Sequence, residues 1–230
     1  MSERKDTMKK ILALIMSLLL VVTLSGCANT SLTSSDDTNK QEETNQEETN
    51  NQQQIPSFTT EMEADYEVTM EFENYGTVVL GLDEDKAPKT VQNFVKLVEE
   101  GYYDGLTLHR IMEGFMMQGG DPTGTGFGGS EQEIEGEFMA NGFFTNNLSH
   151  VRGAISMARS QDPNSASSQF FIVHENSEFL DGNYAAFGYV TSGIEVVDAI
   201  CSEAQPTDNN GSIDAEDQPV ISKVEVKSLK

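Results

Sequence analysis

Three features of the sequence predict a mainly β fold, an antiparallel barrel capped by two α-helices. Apolar and polar residues alternate through two neighbouring runs between Tyr66 and Leu82, the period of half-buried strands. Only two stretches, one beginning at Pro88 and one at Ile194, carry apolar residues at amphipathic-helix spacing. Between them, residues 102–190 consist of short apolar runs separated by glycine-rich turns, which suits many short strands better than long helices.

The elements follow in chain order. Tyr66, Val68, Met70 and Phe72 fall on one face of the first strand, with Glu67, Thr69, Glu71 and Glu73 on the other. Asn74-Tyr75-Gly76 supplies turn chemistry and Val78, Leu80 and Leu82 resume the alternation, so the two runs read as a hairpin. Pro88 stands where a first helical turn needs no N–H; Val91, Phe94, Val95 and Val98 follow at i, i+3, i+4 and i+7, and Gly101 closes the helix. A second helix is expected over Ile194–Cys201 and a last strand near Val220–Val226. Phe94, Phe170 and Phe187 are expected in the core and Cys201 at a buried helical position without chemistry, whereas His150 and His174 are expected at the surface or in loops.

The N-terminus reads as an address. Arg4, Lys5, Lys9 and Lys10 precede an apolar run from Ile11 to Leu24, and Met8 would serve as an alternative start. As a helix that run would rise about 21 Å, short of a hydrocarbon core of about 30 Å, so it fits a signal peptide better than a membrane span. It ends on Leu24-Ser25-Gly26-Cys27, which resembles the bacterial lipobox, so residues 1–26 would be removed and Cys27 lipidated. Residues 27–57 hold almost no apolar side chains, and Gln41–Asn45 recurs as Gln46–Asn50; such a segment cannot build a core and reads as a disordered acidic tether. The folded domain would then occupy residues 58–230, on the outer side of a bacterial membrane and held there by lipid alone.

Composition removes several functions. With 14 Lys+Arg against 38 Asp+Glu and a formal charge of −24, the chain lacks, outside its first ten residues, the clustered cations that nucleic-acid binding requires. Two cysteines give neither a disulfide framework nor a zinc site, and His109, His150 and His174 lack ligand spacing, so no metal or other cofactor is expected. Gly124-Thr125-Gly126-Phe127-Gly128-Gly129 is glycine-rich, but no lysine closes it as in a phosphate-binding loop.

The informative segment is Leu108-His109-Arg110-Ile111-Met112-Glu113-Gly114-Phe115-Met116-Met117-Gln118-Gly119-Gly120-Asp121, one guanidinium among large apolar side chains and an amide. Ala87–Phe94 precedes it, and Ser156-Met157-Ala158-Arg159, Ser168–Ile172, Phe179-Leu180-Asp181-Gly182 and Ala185–Gly188 follow. In this order, from about Val68 to Val226, the motifs resemble the cyclophilin family of peptidyl-prolyl cis-trans isomerases. The resemblance implies an eight-stranded antiparallel β-barrel capped by two α-helices, with an outer groove for extended peptides containing X-Pro.

By matching positions, Arg110 would donate to the prolyl nitrogen, Gln118 would hold its guanidinium, and Phe115, Met116, Phe171 and Leu180 would line the proline pocket. Backbone groups near Ala158 and Arg159, with the Gln169 side chain, would hold the residues preceding proline, and His109 would flank the groove. Three positions depart from many animal members: Phe179 replaces Trp, Tyr184 replaces His and Arg159 replaces Asn. Tyr184 still offers a ring to close the pocket. Phe179 lacks the indole donor of members that bind cyclosporin tightly, so cyclosporin is expected to bind weakly. The implied activity is isomerisation of X-Pro bonds in secreted or envelope proteins. The alternative is a lipid-anchored chaperone module that holds Pro-containing segments with incidental turnover.

Overall fold

The computed structural model describes residues 57–230; the expected signal peptide, Cys27 and all but the last residue of the expected tether lie outside the described residues. Eight strands and two α-helices follow along the described chain: β1 (Tyr66–Phe72), β2 (Gly76–Leu82), α1 (Pro88–Glu99), β3 (Thr107–Met112), β4 (Met116–Asp121), β5 (Ala154–Met157), β6 (Phe170–Val173), β7 (Ala186–Ser192), α2 (Ile194–Glu203) and β8 (Ile221–Ser228). The strands form one antiparallel sheet in the order β3-β4-β6-β5-β7-β2-β1-β8. Its two edges meet where the Leu108 N–H donates to the Pro219 carbonyl, the Gly105 N–H to Ile221 and the Ile221 N–H to Leu106. These bonds join the two edges at residues 105–108 and 219–221 and curl the sheet into a barrel.

The hairpin forms as the alternation predicts, with Tyr66 opposite Leu82 and Phe72 opposite Gly76. Asn74 and Gly76 both take positive φ in its turn, which asparagine tolerates and glycine adopts freely because it has no Cβ. In α1, Ala87 offers no side-chain cap; the Glu137 carboxylate instead accepts the Lys89 and Thr90 N–H groups, a cap delivered from a distant loop. Gly101 follows the helix at φ 68°, where its N–H satisfies the Val98 carbonyl. The second helix runs two residues beyond the expected end, and its buried face is Val196, Val197, Ile200 and Cys201.

Phe94 from α1 meets Tyr103, Phe170 and Phe187 inside the barrel, with ring centroids 5.0, 5.7 and 5.2 Å away. All four rings are fully buried. The Tyr103 hydroxyl donates to the Ser168 carbonyl at 3.0 Å, so the one polar atom of the cluster is paired. This interior fixes the backbone of β3, β4 and β6, whose outward side chains form the site described next.

Candidate active site

A bulge in β3 aims the chemistry outward. Leu108 pairs with Gly119 and Arg110 with Gln118, so His109 is an extra residue with no partner on β4. Leu108 and Ile111 therefore both reach the interior, and Arg110 and Met112 lie outside. One cross-strand row then runs Arg110, Gln118, Phe171 and Ser156 over β3, β4, β6 and β5.

Above this row lies a cavity of about 620 Å³, bordered by Arg110, Phe115, Met116, Gln118, Phe171, Leu180 and Tyr184. Met116, Phe171 and Leu180 are buried together with Val173, which makes the floor apolar. Arg110 is half-buried, and its Nε donates to the Asn210 carbonyl at 2.8 Å and one terminal nitrogen to the Gln118 Oε1 at 3.1 Å. Its other neighbours are weak acceptors, the sulfurs of Met116 and Met112 at 3.9 and 3.4 Å, and the Phe115 ring lies 5.9 Å from the guanidinium carbon. No carboxylate among the described residues forms an ion pair with it. Burial lowers its pKa, yet a guanidinium remains charged at neutral pH. The result is a fixed cation with donor capacity to spare, facing an apolar cavity.

Gln118 passes the order along, its amide nitrogen donating to Gln169 Oε1 at 2.9 Å. The Gln169 side chain, expected to hold substrate, borders the second cavity, and its amide nitrogen donates to the carbonyls of Gly126 and Gly128 at 3.1 and 2.7 Å. The glycine-rich loop is an anion cradle, but the anion is the protein's own. The buried Asp121 carboxylate accepts N–H groups from Thr123, Thr125, Gly126 and Gly128. Burial pushes its pKa up, but these bonds outweigh that and hold it at about 2. A Cβ at Gly128 would strike the Asp121 carboxylate, so the glycine is sterically required.

A second cavity, of about 660 Å³, adjoins the first across Gln118, Gly126, Phe127, Ala158 and Arg159, and is also bordered by Glu131, Glu133 and Gln169. The Ala158 N–H is spent on the Gln169 carbonyl. Arg159 is fixed: it stacks 4.6 Å from the Tyr184 ring centroid and 5.0 Å from that of Phe138, and donates to the Asn183 and Ser160 carbonyls. His109 borders the first cavity but is almost fully buried beside Gly126, with neither ring nitrogen partnered. Burial, reinforced by the Arg110 charge, lowers its pKa despite Asp121 nearby, so the imidazole is neutral at pH 7. Phe179 borders neither cavity; it is 72% exposed and rests against Phe115 at a centroid distance of 5.6 Å.

His150 and His174 lie in loops, one of the two settings expected for them, but both are buried. His150 is fully buried behind the floor, where Nδ1 meets Asp181 and Nε2 meets the Ser156 hydroxyl, both at 2.9 Å. Its ring stacks on Phe171 at 6.1 Å, and Asp181 follows Leu180 directly, so this buried line braces the cavity from behind. The arrangement has the order Asp-His-Ser, but Ser156 is fully buried and borders neither of these two cavities, which removes it as a nucleophile. His174 accepts the Gly114 N–H at 2.9 Å and meets Asp198 at 3.3 Å, while its own N–H donates to the Phe115 carbonyl. Residues 210–218 went unnoticed in the sequence. Asp208 accepts the N–H groups of Asn210 and Ser212, and the turn so made presents the Asn210 carbonyl to Arg110. An Asp-x-Asn-Gly turn signal was present, but nothing local links it to Arg110, a hundred residues away.

Known proteins are similar to this chain in sequence and fold. The family described as cyclophilin type peptidyl-prolyl cis-trans isomerase/CLD matches residues 67–229. Peptidyl-prolyl cis-trans isomerase B of Bacillus subtilis is 49% identical over 111 residues, 48% of this chain and 73% of that one. A Streptococcus pyogenes relative is 49% identical over 123 residues, 54% of this chain but only 25% of that longer protein. A crystal structure of a Cryptosporidium parvum cyclophilin type peptidyl-prolyl cis-trans isomerase, in the presence of the dipeptide Ala-Pro, superposes with a TM-score of 0.61 at 32% identity, covering 70% of this chain and 99% of that one. A closed eight-stranded barrel with a guanidinium beside an apolar outer cavity, and a family match across nearly all the described residues, lead to one assignment: this chain belongs to the cyclophilin-type peptidyl-prolyl cis-trans isomerases.

Proposed function

We propose that the cavity over Arg110 is where this enzyme turns X-Pro bonds, with Arg110 as the transition-state donor. Rotation about X-Pro faces a barrier of about 18–20 kcal/mol because amide resonance must be broken, and no covalent chemistry is needed. A catalyst has to grip the ring and favour the pyramidal prolyl nitrogen of the twisted state over the planar ground state. Phe115, Met116, Phe171 and Leu180 hold the ring, and Arg110 offers the N–H that gains an acceptor only when conjugation is lost. Gln118 and the Asn210 carbonyl fix the guanidinium in advance, so little reorganisation is required during the reaction. The observation that carries this reading is a half-buried arginine without a carboxylate partner facing an apolar cavity. That the Cryptosporidium parvum structure was obtained in the presence of the dipeptide Ala-Pro supports a proline-peptide substrate.

The test is direct cis-trans exchange of a Pro peptide followed by magnetisation-transfer NMR with the purified chain. Acceleration together with shifts at Phe115, Met116 and Phe171 is expected; binding without acceleration favours the chaperone module.

The lipobox-like Leu24-Ser25-Gly26-Cys27 and the acidic segment after it support placing this activity outside the cytoplasm, on a lipid anchor, acting on secreted or envelope proteins. Cys27→Ala should leave the protein unprocessed or released while the domain stays folded. Detergent phase partitioning reads this, and unchanged membrane retention of a processed variant would contradict it.

A further inference from the structure

We propose that His174 is a positioning residue for the reaction: its ring holds the turn that sets Phe115 at the wall of the cavity, and a proton on Nδ1 releases that turn and weakens substrate binding in acid. The proposal rests on the reading of the Arg110 cavity as the proline site. Glu113-Gly114-Phe115 joins β3 to β4, with the Phe115 N–H donating to the Met112 carbonyl at 3.0 Å and Gly114 at φ 77°. Phe115 borders the cavity directly from this turn. The turn is tied to the end of β6 through His174 and its neighbour. The His174 Nδ1 accepts the Gly114 N–H at 2.9 Å, and the backbone N–H groups of His174 and Glu175 donate to the Phe115 carbonyl at 2.8 and 3.4 Å. Of these ties, only the one to Nδ1 depends on a side chain, and a proton can break it.

The chemistry of the ring decides the sign. An imidazole that accepts at Nδ1 is neutral and carries its proton on Nε2, since the cation has an N–H on both nitrogens. Nε2 lies 3.3 Å from the Asp198 carboxylate on α2, which suits that tautomer. A proton gained at Nδ1 turns the acceptor into a donor aimed at the Gly114 N–H, so the tie holds while the ring is neutral and is lost as pH falls. Gly114 is exposed, so water takes the freed N–H and the fold survives; what is lost is the fixed placement of Phe115. The other charged and titratable groups around this ring are Arg152 before β5, Cys201 on α2, Glu175 and Glu113. The Arg152 hydrogen bond holds the Asp198 carboxyl below the usual carboxylate range, and burial pushes the Cys201 thiol up to about 12, so neither changes charge where histidines titrate. His150 spends its ring nitrogens on Asp181 and Ser156, and those of His109 are unpartnered, so neither of these rings ties the turn.

The experiment measures kcat and KM by NMR exchange at about pH 8 and about pH 5.5, for a Pro peptide with blocked ends and no titratable side chain. Wild type is compared with His174→Asn, whose side-chain oxygen stands where Nδ1 does and accepts in acid and base alike, and with His174→Leu, which never accepts. Wild-type KM should rise about fivefold in acid, the size of one lost hydrogen bond, with kcat within about twofold. His174→Asn should keep the low KM at both pH values, and His174→Leu should show the raised KM at both. The Gly114 amide resonance should move with the same midpoint as KM in the wild type and stay in place in His174→Asn. Thermal melting checks folding, and if His174→Leu melts early the Asn comparison alone decides. A wild-type KM that is flat with pH, or a rise that persists unchanged in His174→Asn, overturns the proposal for His174 alone. A wild type inactive at both pH values overturns the cavity assignment and this proposal with it.

Discussion

The inner and outer faces of β3, β4 and β6 are built from neighbouring residues and do different work. Phe170 points into the barrel against Phe94 and Tyr103, and Phe171, one residue on, floors the cavity with Met116 and Leu180. Met117 is core and Gln118 holds the arginine; Ile111 is core and Arg110 faces the cavity. The inner face is wholly apolar and closed, so its contacts contribute stability. The outer face keeps the half-buried Arg110 guanidinium and the Gln118 amide beside an apolar cavity, an arrangement that costs stability and serves binding. Adjacent positions should therefore separate folding from function when mutated.

The largest expected effect tests the inner face. Phe170→Ala removes a ring packed against two others in a closed interior and should cost about 3–5 kcal/mol in urea unfolding. Phe171→Ala should cost clearly less stability, since its cavity is already open, but should raise KM for Pro peptides. Equal unfolding midpoints for the two variants would break the distinction between the faces.

An intermediate effect concerns the loop that links the outer row to Phe127. The Asp121 carboxyl lies at about 2 in the folded protein against an ordinary value of 3.8. A carboxyl with a depressed folded value contributes stability above the unfolded value, and loses it as pH falls through about 4 towards 2. The difference is worth about 2 kcal/mol. Asp121→Asn should lower stability by about that much at pH 7 and flatten the loss between pH 4 and pH 2. Urea unfolding across that range checks both, and an unchanged acid limb would show that the carboxylate is not what holds the glycine loop.

A smaller effect separates inhibitor binding from turnover. Phe179 leans on Phe115 from outside both cavities, so Phe179→Trp should add an indole donor and ring area for cyclosporin without rebuilding the proline pocket. Inhibition should tighten by about tenfold or more, at least about 1.4 kcal/mol, with a much smaller change in kcat/KM. Tight inhibition of the wild type would contradict this reading of Phe179.

The strands and helices were legible because their periods are written in consecutive side chains: Val68, Met70 and Phe72 for β1, Val91, Phe94 and Val98 for α1. Arg110 and the apolar residues around it stand close together in sequence, and the motif order drew attention to them. Other features depended on partners far away. The bulge at His109 exists only against β4, and neither strand alone announces it. His150 is buried because Asp181, 31 residues on, and Ser156 satisfy its ring. Gln169 reads as a free amide until the loop it clamps is in view, and the glycines of that loop suggest phosphate until Asp121 is seen to fill them.

The central claim is that the outer row is catalytic through Arg110, and it is tested most directly by measuring kcat/KM and the unfolding midpoint together for Arg110→Ala and Arg110→Lys. The Ala variant should unfold near the wild-type midpoint and lose about 10²-fold or more in kcat/KM, about 2.7 kcal/mol of transition-state stabilisation. Lys should recover only part, because an ammonium cannot serve the Gln118 oxygen, the Asn210 carbonyl and the substrate in one plane. A fully active Ala variant, or a loss of activity that merely tracks a loss of folding, would contradict the account.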